Sequence, residues 1–112
     1  MTGDPTANPA RAKVAKWSAL VDKNPDHELA RYSLGSALME CGEFAAAEPH
    51  FARALALRDD WVMAYILRAK CLLQLRRPAE AKELLLRGRH HSIEQKHDAP
   101  VEEIDALLGM LP

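Results

Sequence analysis

Residues Glu28 to Trp61 read ELARYSLGSALMECGEFAAAEPHFARALALRDDW, and the fold turns on how the small and large apolar residues in this run are spaced. Ala30, Leu34, Ala37, Leu38 and Cys41 recur at intervals of three and four, the period of one helical face. Gly42 then supplies a residue able to end a helix in a left-handed turn. Phe44, Ala47, Phe51, Ala54 and Leu55 resume the period, which predicts a second helix over Glu43 to Leu57. Pro49 lies inside it and removes the hydrogen bond to the Ala45 carbonyl, so a local kink or a loosened first turn is expected.

The same pattern returns 34 residues later. Ala30 is answered by Ala64, Gly35 by Ala69, Leu38 by Leu72, Ala47 by Ala81, Phe51 by Leu85 and Ala54 by Gly88. Small residues answer small ones, which lets helices approach closely, and large ones answer large ones, which fills the remaining space. Trp61 to Leu75 is apolar almost all round and reads as a helix packed on several sides, with Asp59 and Asp60 as candidate caps. Pro78 opens a further helix through at least Arg89. Upstream, Asn8 caps and Pro9 opens a helix to Lys23, Asn24 and Pro25 break it, and Asp26 is placed to cap the next. Residues 1–8 read as a flexible tail, and Asp98 as the cap of a last helix striped by Val101, Ile104, Leu108 and Leu111. No segment alternates with period two, so the predicted class is all-α.

A 34-residue helix-turn-helix period carrying ARYSLGSAL from Ala30 to Leu38, then Gly42, Phe44, Ala47, Phe51 and Ala54, resembles the tetratricopeptide repeat. The chain is also similar to small bacterial proteins of two such repeats. The resemblance implies a right-handed α–α superhelix forming a single domain over 9–112. Its parts would be an N-terminal helix at 9–23, repeat 1 at 28–61, repeat 2 at 62–95 and a capping helix at 98–111. Repeat 2 departs from the pattern. Arg68 stands where a leucine precedes the glycine, Ala69 replaces that glycine, Arg76 replaces the turn glycine, and Gly88 stands for an alanine.

The chain has 112 residues and 12.5 kDa, the size of one domain. Fifteen Lys and Arg against sixteen Asp and Glu give a net charge of −1, without the basic excess that phosphate backbones and anionic membranes select. Neither a signal peptide nor a run of about 18 apolar residues is visible. Two cysteines are too few for a disulfide framework, so a reducing cytoplasm is expected, with Cys41 and Cys71 as packed thiols. No Ser-His-Asp, HExxH, GxxxxGK or GxGxxG pattern occurs, and neither an enzyme nor a cofactor is expected.

In a stacked array the first helix of each hairpin lines a concave groove. The residues placed there are Leu29, Tyr32, Ser36, Met39 and Glu40, then Met63, Ile66, Lys70, Leu73 and Gln74. They suit a peptide or amphipathic helix of another protein, Tyr32, Met39, Met63 and Ile66 giving affinity and Ser36, Lys70 and Gln74 orientation. On this reading Ile66→Asp abolishes binding and leaves helicity intact. The opposing reading has the terminal helices filling the groove as core. Some relatives grip a chaperone's terminal carboxylate with Lys, Asn and Arg here. This chain offers Tyr32 and Ser36 in the first of those places and only Lys70 as a cation, so that capture is not expected.

A second functional reading is self-association as a homodimer through the stripe Val101, Ile104, Leu108 and Leu111. His90, His91 and His97, with Glu94, invite a metal site, but His97 lies two turns from His90, about 10 Å of rise, so no metal is expected. Arg76, Arg77, Arg87 and Arg89, with His90 and His91, make the one basic cluster; it could meet an acidic partner or RNA, but without interleaved aromatics or a basic excess it reads as a solvated face and no nucleic acid is expected.

Overall fold

Six helices occupy residues 8–112, the part of the chain that the computed structural model describes. They are α1 (Pro9–Lys23), α2 (Glu28–Glu40), α3 (Phe44–Leu57), α4 (Val62–Gln74), α5 (Pro78–Glu94) and α6 (Asp98–Gly109), with no strand among the described residues. Of the expected tail, residues 1–7 lie outside the described residues. Asn8 caps α1, its Oδ1 accepting the Ala10 and Arg11 amides at 3.1 and 3.3 Å.

Three of the helix ends use one device. Gly42, Arg76 and Lys96 have φ of 75°, 60° and 59°, and each follows a helix C-cap. The amide after each reaches back to a carbonyl in the helix's last turn: Glu43 to Leu38 at 2.9 Å, Arg77 to Leu72 at 2.8 Å and His97 to Ser92 at 2.9 Å. This is the Schellman closure. Arg76 performs in repeat 2 the turn that Gly42 performs 34 residues earlier.

Helix starts differ from the sequence reading. His27, not Asp26, caps α2, its Nδ1 accepting the Ala30 amide at 3.1 Å, while Asp26 pairs with Arg53 of α3. Trp61 holds the cap position of α4 and offers no side-chain acceptor. Asp59 and Asp60 contribute backbone instead: the Asp59 carbonyl accepts the Tyr65 hydroxyl at 2.6 Å, and the Asp60 carbonyl accepts Gln95 Nε2 at 2.8 Å. At α6 the cap position falls to His97, and Asp98 is the first helical residue. Pro49 leaves α3 continuous from Phe44 to Leu57.

Each helix packs on its neighbours in sequence, and α2 with α4 and α4 with α6 also touch. The helices therefore form two rows, α2, α4 and α6 against α1, α3 and α5, in a body 41 × 30 × 22 Å. Small residues set the spacing. A Cβ on Gly35 would lie 2.8 Å from the fully buried Phe51 ring, and one on Gly88 2.9 Å from Tyr65 Cβ. In repeat 2 the equivalents of Gly35 and Phe51 are Ala69 and Leu85, both fully buried: the smaller partner leaves room for a methyl. The departure at Arg68 has a local explanation too, since its Nε meets Glu48 Oε2 of α3 at 2.6 Å, both side chains mostly covered.

The stripe on α6 turns inward. Ile104 is fully buried, and Leu108 and Leu111 pack on the core of Tyr65, Leu72 and Leu85. Part of the stripe thus caps its own chain, while Val101, Leu108 and Leu111 each keep part of their surface exposed.

Candidate functional site

The α2, α4, α6 row carries the residues that the sequence placed in a groove, and their burial separates them. Leu29 and Met63, at equivalent first-turn positions of α2 and α4, are 52% and 37% exposed. The residues that follow them, Ala30 and Ala64, are fully buried. Between them, Tyr32 stacks on Trp61 with ring centroids 4.4 Å apart and meets Phe51 edge-on at 5.8 Å. Burial pushes the Tyr32 phenol above its ordinary pKa, and a hydrogen bond with Ser36 works against that shift. Tyr32 therefore presents one edge of a fixed aromatic wall rather than a mobile side chain.

Met39 and Leu73 are half-covered, Met39 packed on the core of the first hairpin and Leu73 on that of the second, and Ser36 is also half-covered. Gln74 and Glu40 are exposed, Glu40 taking Lys13 of α1 at 3.3 Å. Lys70 is held by Glu103 of α6 at 2.7 Å, so α6 stands along the same face and neutralises its lysine.

Ile66 is fully buried among Leu72, Leu85 and their neighbours and cannot touch a ligand. It is withdrawn from the site, as is the expected behaviour of Ile66→Asp: an unpaired carboxylate there unfolds the hairpin. A helix apolar on every side gives no sequence signal for which apolar residue faces out. Conversely, sequence reasoning missed a cleft of about 190 Å³ beside Met63, lined by Arg58, Trp61, Val62, His97 and Pro100. Arg58 lies over the Trp61 ring at 5.0 Å. The cleft joins two loops to the start of α6, a juxtaposition visible only once the hairpins stack. It and two other clefts, of about 160 and 230 Å³, are smaller than the roughly 300–1,000 Å³ of small-molecule sites.

Most of the remaining charged side chains are paired within the chain. Arg77 meets Glu80 at 2.7 Å, Arg87 meets Glu83 at 2.9 Å and Arg89 meets Asp105 at 2.6 Å. His90 and Glu94 pair at 3.1 Å, both exposed, while His97 is at the α6 cap. No group of three His, Cys, Asp or Glu converges among the described residues. Burial, then the charge of Glu48, pushes the Cys71 thiol up to about 11, so it is protonated near neutral pH and a poor nucleophile.

Residues 11–60 and, overlapping them, 34–90 match the family model for the tetratricopeptide repeat. The chain belongs to the tetratricopeptide repeat family. No match was found among curated proteins. Among solved structures it is similar to the TPR2B domain of yeast Sti1 in complex with pHsp70, with a TM-score of 0.83 and 22% identity over 92% of this chain and 82% of that one. It is similar to PcrH in complex with the chaperone binding region of PopD, with a TM-score of 0.85 and 18% identity over 93% and 79%. The Yersinia enterocolitica type III secretion chaperone SycD, in complex with a peptide of the translocator YopD, superposes with a TM-score of 0.71 and 16% identity over 90% and 83%. At these identities the likeness shows the fold, the right-handed superhelix of tetratricopeptide hairpins. α2–α3 and α4–α5 form two helical hairpins 34 residues apart, flanked by α1 and α6.

Proposed function

We propose that this tetratricopeptide chain is a non-enzymatic adaptor that takes an extended peptide or amphipathic helix of another protein along the α2, α4, α6 face. The observation that carries the reading is the exposure of Leu29 and Met63 on adjacent first helices, 34 residues apart, beside the Tyr32–Trp61 wall. Methionine and leucine give adaptable apolar contact, and the cleft beside Met63 has room for one anchoring side chain. Tyr32, Ser36, Met39, Leu73 and Gln74 border the track. Lys70 is a weak candidate for gripping a carboxylate while Glu103 holds it. The Sti1, PcrH and SycD structures, each in complex with a segment of another protein, support the same use of the fold here. A reducing cytoplasm suits the buried Cys71 thiol. No helix among the described residues is long and apolar enough to cross a membrane.

The test compares what three immobilised forms retain from a cell lysate: the unaltered chain, Leu29→Asp/Met63→Asp, and Leu86→Asp, which alters an exposed leucine on the other row. Proteins held by the first and third and lost by the double variant support the reading. Equal retention by all three contradicts it.

A further inference from the structure

The two complete hairpins show which residues a first helix presents to its second helix. Arg31 of α2 meets His50 of α3 at 3.1 Å, and Gly35 faces Phe51; Tyr65 of α4 covers Gly88 of α5 and stacks with His91 at 5.6 Å. Carried back by the 34-residue period onto α1, the second-helix positions of His50 and Phe51 become Lys16 and Trp17. Those of Ala81, Gly88 and His91 become Lys13, Leu20 and Lys23. The three lysines are exposed, and Trp17 and Leu20 partly so.

Carried forward from α4 onto α6, by the 36 residues separating the cap positions Trp61 and His97, Tyr65, Ala69 and Leu72 become Val101, Asp105 and Leu108. Asp105 is exposed, and Val101 and Leu108 partly so. In the interior repeats this seat holds a buried glycine or alanine; here it holds a carboxylate whose one internal partner is Arg89.

The two faces complement each other in charge as well as position. α1 carries Arg11 and Lys13, paired with Glu43 and Glu40, and Lys16 and Lys23 against Asp22, whereas α6 carries Asp98 and Glu102, with Glu103 and Asp105 paired with Lys70 and Arg89, and no basic residue. They do not touch within the chain: α1 packs on α2, and α6 on α5 and α4. A chain with a net charge of only −1 thus has a basic helix at one end of its stack and an acidic one at the other.

We infer that copies of this chain associate head to tail, α6 of one copy receiving α1 of the next as the second helix of a composite hairpin. Trp17 and Leu20 then cover Val101 and Leu108, and Lys13 and Lys16 meet Asp105 and Glu102. The contact repeats the packing of first helix on second helix seen inside each hairpin, α2 on α3 and α4 on α5. Because its two surfaces differ, it generates open chains rather than a closed dimer. The inference does not depend on the peptide reading.

Sedimentation velocity of the 112-residue chain tests it, from about 10 µM to about 1 mM at about 50 mM salt and again at about 500 mM, where screening is short-ranged. The expected mass rises with concentration at low salt without stopping at a dimer, and falls at high salt. Asp105→Lys and Lys13→Glu/Lys16→Glu, each checked for unchanged helicity, are expected to be monomeric alone and to associate when mixed in equal amounts, since each supplies what the other lacks. Asp105→Asn serves if the reversal disturbs the fold, with association weakened at least tenfold. A chain that is monomeric throughout, a mass that stops at a dimer, variants that associate like the unaltered chain, or a mixture that stays monomeric each overturns it.

Discussion

Arg76 holds a φ of 60° that its counterpart Gly42 adopts without a Cβ. A side chain in that region costs about 1 kcal/mol, so Arg76→Gly is expected to raise stability by about 0.5–1 kcal/mol in urea unfolding with unchanged m-value. A decrease would mean that the Arg76 side chain contributes more than its backbone strains. His50 makes a second prediction at this scale. Burial and then the Arg31 guanidinium hold its imidazole below its ordinary pKa. Above about pH 6.5 both folded and unfolded chains carry it neutral and its linkage contributes nothing. Below that, the unfolded chain binds the proton more readily, so stability falls with pH until the folded imidazole titrates as well. His50→Gln is therefore expected to flatten stability measured between pH 7 and pH 5, and an unchanged slope would contradict that assignment. Single residues were also where the sequence was least informative. Ile66 and Met63 lie in one apolar helix, and only the placement of the helices packed around α4 decides that Ile66 is fully buried while Met63 is exposed.

At the scale of elements, the helices were legible because Gly42, Pro78, Asn24 and Pro25 punctuate a clear three-and-four spacing. Their caps were not, since His27 acts as a cap through a ring nitrogen that composition rules rank low, and Asp59 and Asp60 serve through their carbonyls. The pairing of helices follows from partner sizes. Gly35→Ala brings a methyl within 3 Å of a Phe51 ring that has nowhere to move, and is expected to destabilise by about 1–3 kcal/mol despite the better helix propensity of alanine. Gly109, where an added methyl would meet nothing within 4 Å, is the control, and its alanine variant is expected to be neutral or slightly stabilising. Equal effects at the two glycines would refute the close-approach explanation. Glu48→Gln leaves Arg68, 26% exposed, without its carboxylate and is expected to cost about 1–2 kcal/mol in the same unfolding assay. No loss would show that the ion pair merely offsets its own desolvation.

For the whole molecule, the 34-residue repetition visible between Ala30 and Gly88 was enough to read the two-row stack and the existence of an inner face. It could not show how open that face is, because the contact between Lys70 and Glu103 and the cleft joining Met63 to Pro100 both require α6 in place. The same stacking separates a basic α1 from an acidic α6 in a chain whose overall charge conceals both. The central claim is that a partner lies along the α2, α4, α6 row. Hydrogen exchange, read by mass spectrometry on the chain alone and with a partner recovered from lysate, tests it most directly. The account predicts added protection at the first turns of α2 and α4, around Leu29 and Met63, with the Leu86 face of α5 unchanged. Protection confined to α3 and α5, with none at Leu29 or Met63, would contradict it.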